Sequence, residues 1–330
     1  MSAIGPVFDV QAQPSLLGAL LARGGEGEVY PLLHRPEILV KRYHTSELQK
    51  RGQALQDKVE AMRHLAGLRN HPAMSWPLIS VYDGNRQWIG YAMRRVEGVP
   101  MHTLAHAMLY RKHFPGLDRI GLTGYLLRLI ELLQILHRQG ICMGDYNLQN
   151  IFCTPGTDQV ALIDCDSYQL DVNGKRYPCP VGSADLTAPE HQGRPFSQIV
   201  RTEASEAFSL AVILFKCLML GRHPYDVVGG EDPVTNLRQG KFAYGTGNTG
   251  IPQGPWYNIW SHMPYNLKNL FITTFTQGAR DPARRPGLAD WHQALSLYQR
   301  EMKRGWHQVD IRPERPKSRD YRGSRSQSAC

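Results

Sequence analysis

Gly144-Asp145-Tyr146-Asn147-Leu148-Gln149-Asn150 is the stretch that decides the fold, and Leu162-Ile163-Asp164-Cys165-Asp166 completes it. Asp145 and Asn150 lie five positions apart in a polar loop between two apolar segments. Asp164, fourteen residues beyond Asn150, closes the apolar run Val160-Ala161-Leu162-Ile163. This arrangement suits phosphoryl transfer from ATP, where catalysis is mostly positioning plus charge neutralisation. One carboxylate takes the hydroxyl proton, while an amide and a second carboxylate hold Mg²⁺ (or Mn²⁺) on the phosphates. A loop with two turn-forming residues ahead of a strand would carry the same letters, so the rest of the chain has to decide.

Upstream, residues 1–97 read as strands with one long helix. The segment 16–33 reads as strand, Gly-rich turn and strand, 37–43 as a third strand, and 76–81 and 88–93 as two more. Leu48, Leu55, Val59, Met62 and Leu65 recur at helical spacing over 46–68. After Gly98 the character turns helical. Residues 118–137 form an amphipathic pattern, 207–220 is apolar on nearly every face and predicts a buried helix, and shorter helices are expected at 265–276 and 288–302. The expected organisation is a small β-rich lobe over 1–97, a larger α-rich lobe over 98–302, and a tail over 303–330.

The Gly-rich turn is Gly24-Gly25-Glu26-Gly27, with Val29 just beyond it. Glycines let backbone N–H groups approach phosphate oxygens closely. Lys41, fourteen residues after Gly27 near the end of a strand, can neutralise the same phosphates if an acid holds it. The long helix offers Glu60 for that, with Asp57 one turn earlier as the fallback.

Composition agrees with a folded domain: 330 residues, 42% hydrophobic, 20% charged. Six cysteines, at 142, 153, 165, 179, 217 and 330, form no CxxC pair and no disulfide framework, so reduced thiols and a cytoplasmic setting are expected. No segment is expected to span a membrane. The net charge is +9, and 303–330 carries eight Lys/Arg against three Asp/Glu. That tail is rich in Arg, Pro and Ser, which predicts disorder. No nucleic-acid motif accompanies its charge, so nucleic acid is not an expected partner.

In this order and spacing the motifs resemble the protein kinase fold across 15–302, which implies an α+β, bilobal architecture. LARGGEGEVY resembles the Gly-rich loop, where Ala22 stands at the first glycine position, and LVKRY the strand lysine. YAMRRVEG (91–98) resembles the hinge, which implies that the backbone of Arg94 and Val96 meets adenine beside Met93. LHRQGICMGDYNLQNI (136–151) resembles the catalytic loop and implies Asp145 as general base. LIDCD resembles the metal-binding segment, which implies Asn150 and Asp164 as metal ligands. TAPE (187–190) implies that Glu190 pairs with Arg285, and EAFSLAVILF (206–215) resembles the central helix of the larger lobe. More narrowly, GGEGEVY, LIDCDSYQ, YPCPVGS and LFKCLMLGRHPY are similar to bacterial atypical Ser/Thr kinases. That group is associated with PP2C-type phosphatases and von Willebrand A-domain proteins of the tellurium-resistance type, and the resemblance implies those partners besides a protein substrate.

The pattern departs from the family in places that bear on activity. The loop tip is Glu26, unfavourable near phosphates unless it points outward. Met143-Gly144 replaces the His-Arg pair, and Asn147 stands where a lysine helps neutralise the transferring group. Asp166 replaces a glycine and has three open roles: a further Mg²⁺ ligand, a structural hydrogen-bond acceptor, or a solvent-facing acid. Two other functions remain open, a nucleotide-binding scaffold without transfer and a small-molecule kinase. APE, Arg285 and the helix at 207–220 weigh against the latter, and Ser183 points to Ser/Thr acceptors. Asn173-Gly174 between β-prone flanks predicts a type I′ hairpin inside 164–190. Such a hairpin would order the segment without a phosphate.

Overall fold

The computed structural model describes residues 5–245, 247 and 250–317. The chain divides into two compact units: Met1–Glu97 with Ala161–Asp166, and Gly98–Val160 with Ser167–Cys330. The first is mostly antiparallel sheet and the second mostly helix, which is compatible with a kinase-like fold.

In the first unit, β1 (Val7–Phe8), β2 (Pro14–Ser15), β3 (Ala22–Arg23), β4 (Gly27–Leu32) and β5 (Arg35–Tyr43) lead into helices α1 (Thr45–Arg63) and α2 (Ala66–Arg69). β6 (Pro77–Tyr82) and β7 (Trp88–Arg94) follow. All seven strands join one sheet in the order β2-β1-β6-β7-β5-β4-β3. The sequence predicts five strands. The short pair β1–β2 adds to them, and the expected first strand shrinks to Ala22–Arg23 because Leu16, Leu20 and Leu21 lie exposed.

Successive side chains of a strand face opposite ways. On β5, Leu39 and Tyr43 join Leu55 and Val59 of α1 and Trp88, Tyr91 and Met93 of β7 in one cluster. Val40 turns to the other face, with Val7, Leu32, Val81, Ile89 and Ala92. Lys41, between Leu39 and Tyr43, therefore projects to the α1 side. The helix expected over 46–68 ends earlier, at Arg63, and carries a kink at Arg51 (φ −148°, ψ 22°). There the guanidinium is drawn to Glu47 at 2.9 Å and Glu26 at 2.5 Å.

The second unit begins with β8 (Val99–Pro100), α3 (Met101–Leu104), α4 (Leu109–His113) and α5 (Arg119–His137). Strands β9 (Ile141–Cys142) and β10 (Ile151–Cys153) flank the polar loop, and β11 (Val160–Leu162), which belongs mostly to the first unit, leads to Asp164. The hairpin β12 (Gln169–Val172) and β13 (Lys175–Tyr177) follows. Helices α6 (Glu203–Leu218), α7 (Pro233–Arg238), α8 (Trp256–His262), α9 (Tyr265–Phe275), α10 (Gln277–Arg280) and α11 (Leu288–Lys303) complete the unit.

Helix α5 starts where Asp118 accepts the Gly121 N–H at 2.8 Å. Among the described residues it is the one helix long and apolar enough to cross a membrane, but 56% of its apolar window is buried inside the protein. Its leucines go to packing. Helix α6 is fixed at its start by a reciprocal Thr202–Ser205 capping box, a device worth about 1 kcal/mol. Phe208 through Phe215 of α6 are all buried, each large apolar side chain contributing roughly 1.5–3 kcal/mol.

The tail departs from the expectation of disorder over its first half. The Val309 carbonyl accepts the Arg119 N–H, and the Asp310 and Ile311 carbonyls accept its guanidinium. Asn258 donates to the Pro313 and Glu314 carbonyls, and Lys317 N–H donates to Ser261. The expectation for 318–330 lies outside the described residues.

Candidate active site

Lys41 is 6% exposed and sits opposite Tyr91 in the β5–β7 register and opposite Val29 in the β4–β5 register. Its ammonium donates to both oxygens of Asp166, at 2.7 and 2.9 Å, and lies 3.5 Å from Asp164. Tyr43 and Tyr91 donate their hydroxyls to the same carboxylate at 2.6 and 2.8 Å. Asp166 is 3% exposed, so the solvent-facing role is excluded. Each of its oxygens already accepts two hydrogen bonds, which leaves no acceptor position for Mg²⁺. The expected third metal ligand is thus a buried structural acceptor.

Burial alone would depress the Lys41 pKa, but the Asp166 and Asp164 charges outweigh it and hold the lysine protonated. Burial likewise pushes Asp166 up, and the Lys41 charge together with the Lys41, Tyr43 and Tyr91 hydrogen bonds brings it well below the usual carboxylate range. Asp164 moves the other way, raised by burial and by Asp166 against the pull of Lys41. Its side chain is nonetheless 45% exposed.

The expected Lys41–Glu60 pair does not form. Glu60 accepts from the Ser80 hydroxyl and pairs with Arg63 one turn along its helix, at 2.5 Å. Asp57, the fallback, accepts from Gln53 at 2.8 Å. The reason is competition: Asp166 reaches Lys41 from the segment after β11, and Glu60 has nearer donors of its own.

The Gly-rich turn is closed by Gly24 N–H to the Gly27 carbonyl at 2.9 Å and tied to the end of β5 by His44 N–H to the Glu26 carbonyl at 2.8 Å. A Cβ at Gly25 would meet nothing within 4 Å, whereas one at Gly27 would lie 2.3 Å from the Arg42 carbonyl. Gly27 is therefore needed for strand packing, and Gly25 at the tip is open to an approaching anion. Ala22 pairs with Val29 beneath the turn. Glu26 does not point outward: it joins Arg51 and lies 3.8 Å from Lys41. In the hinge, Met93 is buried on β7 and the Arg94 carbonyl accepts the Ser75 hydroxyl at 2.9 Å. Among the described residues no backbone hydrogen bond engages Val96.

In the second unit, Asn150 donates its side-chain amide to Asp145 at 3.3 Å, which brings together the two residues expected to act as base and metal ligand. Asn147 spends its side-chain oxygen on the Gln149 N–H at 2.9 Å, bracing the loop. The loop hangs from Glu206 of α6, whose carboxylate accepts the Met143 and Gly144 N–H groups, both at 2.8 Å, and the Tyr146 hydroxyl at 3.1 Å. Gly144 has φ 70°, and a Cβ there would lie 2.7 Å from the Cys179 sulfur, so the arginine of the family pattern has no room. Glu190 and Arg285 pair at 2.6 and 2.8 Å as the resemblance implies, and Arg285 also donates to the Gly278 and Ala204 carbonyls.

Tyr43, Tyr91 and Glu206 escaped the sequence reading. Tyr43 stands two residues after Lys41, on the same strand face, and Glu206 is an acid opening an apolar helix; both signals were present. Asp164 and Asn150 are each oxygen donors of the kind Mg²⁺ takes. Among the described residues no group of three or more His, Cys, Asp or Glu could hold a metal unaided.

No family model matches the chain. It is 30% identical over 308 residues to Protein kinase YegI of Escherichia coli K12, covering 90% of this chain and 47% of that protein. It is 30% identical over 297 residues to Protein kinase YegI of Escherichia coli O157:H7, covering 87% and 45%. The chain spans about half the length of the curated relatives it matches. This likeness, with the two-unit fold, supports a protein-kinase-like family.

Proposed function

We propose that the chain transfers the γ-phosphoryl group of ATP to a Ser or Thr hydroxyl of a protein substrate, its own chain included. The observation that carries this is the Asp145–Asn150 pair in a loop hung from the buried Glu206. Asp145 accepts the proton of the acceptor hydroxyl as its oxygen bonds the γ-phosphorus and ADP leaves. Asp164 and Asn150 hold Mg²⁺, which when bound neutralises charge on the phosphate oxygens. Lys41 contacts the phosphates, the Gly24–Gly25 backbone faces them, and the Arg94 and Val96 backbone receives adenine beside Met93. Asn147, in the place of a lysine, gives no charge to the transferring group, so its part is to keep Asp145 and Asn150 in register. On this reading the protein works in the cytoplasm, with a PP2C-type phosphatase and a von Willebrand A-domain protein as partners.

The test is incubation of the purified protein with labelled ATP and Mg²⁺ or Mn²⁺, alone and with a generic protein acceptor. Label in protein, lost on adding EDTA, supports the reading. Nucleotide binding without transfer would make it a scaffold, and transfer only to a small molecule would make it a small-molecule kinase.

A further inference from the structure

The carboxylate that holds Lys41 is not on helix α1. We propose that Asp166, and not an acid of α1, is the positioning residue for Lys41 in phosphoryl transfer. This rests on Lys41 being the phosphate contact of the proposed function.

An ammonium has three protons. Two go to Asp166, at 2.7 and 2.9 Å, and the third makes only a long contact to Asp164, at 3.5 Å, which a phosphate oxygen can replace. Asp166 cannot swing away freely, because Tyr43 and Tyr91 hold one oxygen each, at 2.6 and 2.8 Å. Turning the carboxylate would strand two phenol hydroxyls in a buried, low-dielectric site. All three donors come from one face of the β5–β7 pair: Lys41 faces Tyr91 in register, and Tyr43 lies two residues on. Helix α1 packs on the same face through Leu55 and Val59 but sends its Glu60 to Ser80 and Arg63. Glu60, the acid of α1 expected to pair with the lysine, is engaged elsewhere, and Asp166 takes its place.

The experiment compares wild type, Asp166→Asn, Tyr43→Phe, Tyr91→Phe and Glu60→Gln. Ammonium protons of a lysine give nitrogen-15-correlated NMR signals when they are held and lose them to exchange with water when they are not. In ligand-free protein the Lys41 signal is expected in wild type and Glu60→Gln, broadened in the two phenylalanine variants, and absent in Asp166→Asn. With ATP and Mg²⁺, Asp166→Asn is expected to raise KM for ATP and lower kcat/KM by roughly tenfold to a hundredfold, the worth of hydrogen bonds to a charged group. Glu60→Gln is expected to stay within about twofold of wild type, because Gln keeps the oxygen that accepts from Ser80 and loses only a partly exposed pair with Arg63. A Lys41 signal that survives Asp166→Asn, or one that is lost in Glu60→Gln, would overturn the proposal. If Asp166→Asn misfolds, the phenylalanine variants decide, because unchanged Lys41 signals in both would also overturn it. Wild type that transfers no phosphate would sink the proposed function, and the ligand-free spectra would still decide the role of Asp166.

Discussion

Asp145 follows a glycine with no room for a side chain and precedes a tyrosine buried against Glu206. Its carboxylate is therefore aimed by backbone held on both sides. Asp145→Asn is expected to cut single-turnover transfer by about 10²–10⁴ while ATP affinity measured by calorimetry stays near wild type. At this scale the sequence placed Asp145 and Asn150 in one loop, and their side chains do meet there, at 3.3 Å, because the contact is local along the chain. It misled at Lys41, whose partner lies 125 residues away and competes with an acid on the adjacent helix. His223 shows a second effect invisible in sequence. Its Nε2–H donates to the Asp185 carbonyl at 2.7 Å and its Nδ1 accepts the Tyr225 N–H at 3.2 Å, so the neutral ring is fully paired. Burial lowers its pKa to about 4. Between about pH 6.5 and 4 the unfolded chain takes up a proton that the fold refuses, so this contribution to stability is present above pH 6.5 and is lost as pH falls. The loss reaches roughly 3 kcal/mol, and urea midpoints across that window should show it in wild type and not in His223→Gln.

Among the elements, the hairpin β12–β13 forms as its turn residues require, with φ 52° at Asn173 and 74° at Gly174. β12 also pairs with β9, Gln169 opposite Cys142, so the hairpin is stitched into the strand that opens the catalytic loop. With no arginine at Gly144 to receive a phosphate, the proposed kinase should need none. Phosphatase-treated protein is expected to keep its transfer rate, and strict dependence on a phosphate within 164–190 would refute the idea. Helix α6 adds a second prediction at this scale. Glu206→Gln keeps shape but removes the charge and one acceptor pair, which leaves a buried loop N–H poorly paired. A loss of about 1–3 kcal/mol in urea unfolding is expected, together with slower transfer. Periodicity identified α5, α6, α9 and α11 because each buries one long apolar surface. It missed the short β1–β2 pair, two residues a strand, where there is no period to detect.

For the whole molecule, the largest departure from the sequence reading is the segment after α11. Composition alone makes 303–330 a basic, polar stretch, yet 309–317 supplies carbonyls to Arg119, Asn258 and His262. Backbone carbonyls are the same in every sequence, so composition cannot reveal that they serve a buried arginine. Ending the chain at Arg304 is expected to strand the Arg119 guanidinium and lower stability by about 2–4 kcal/mol, read as an earlier guanidinium chloride midpoint. Cys142, Cys153, Cys165, Cys179 and Cys217 are all buried, and none of them forms a disulfide. Burial pushes the thiols of Cys142, Cys153 and Cys217 up, so these are poor nucleophiles as folded. An alkylating reagent reaches such a sulfur only when its surroundings open. With Cys330 changed to Ser, the chain thus carries its own set of opening clocks: Cys165 beside Asp164, Cys142 before the Asp145–Asn150 loop, Cys217 in α6. Their labelling rates, with and without nucleotide, would rank which region yields first.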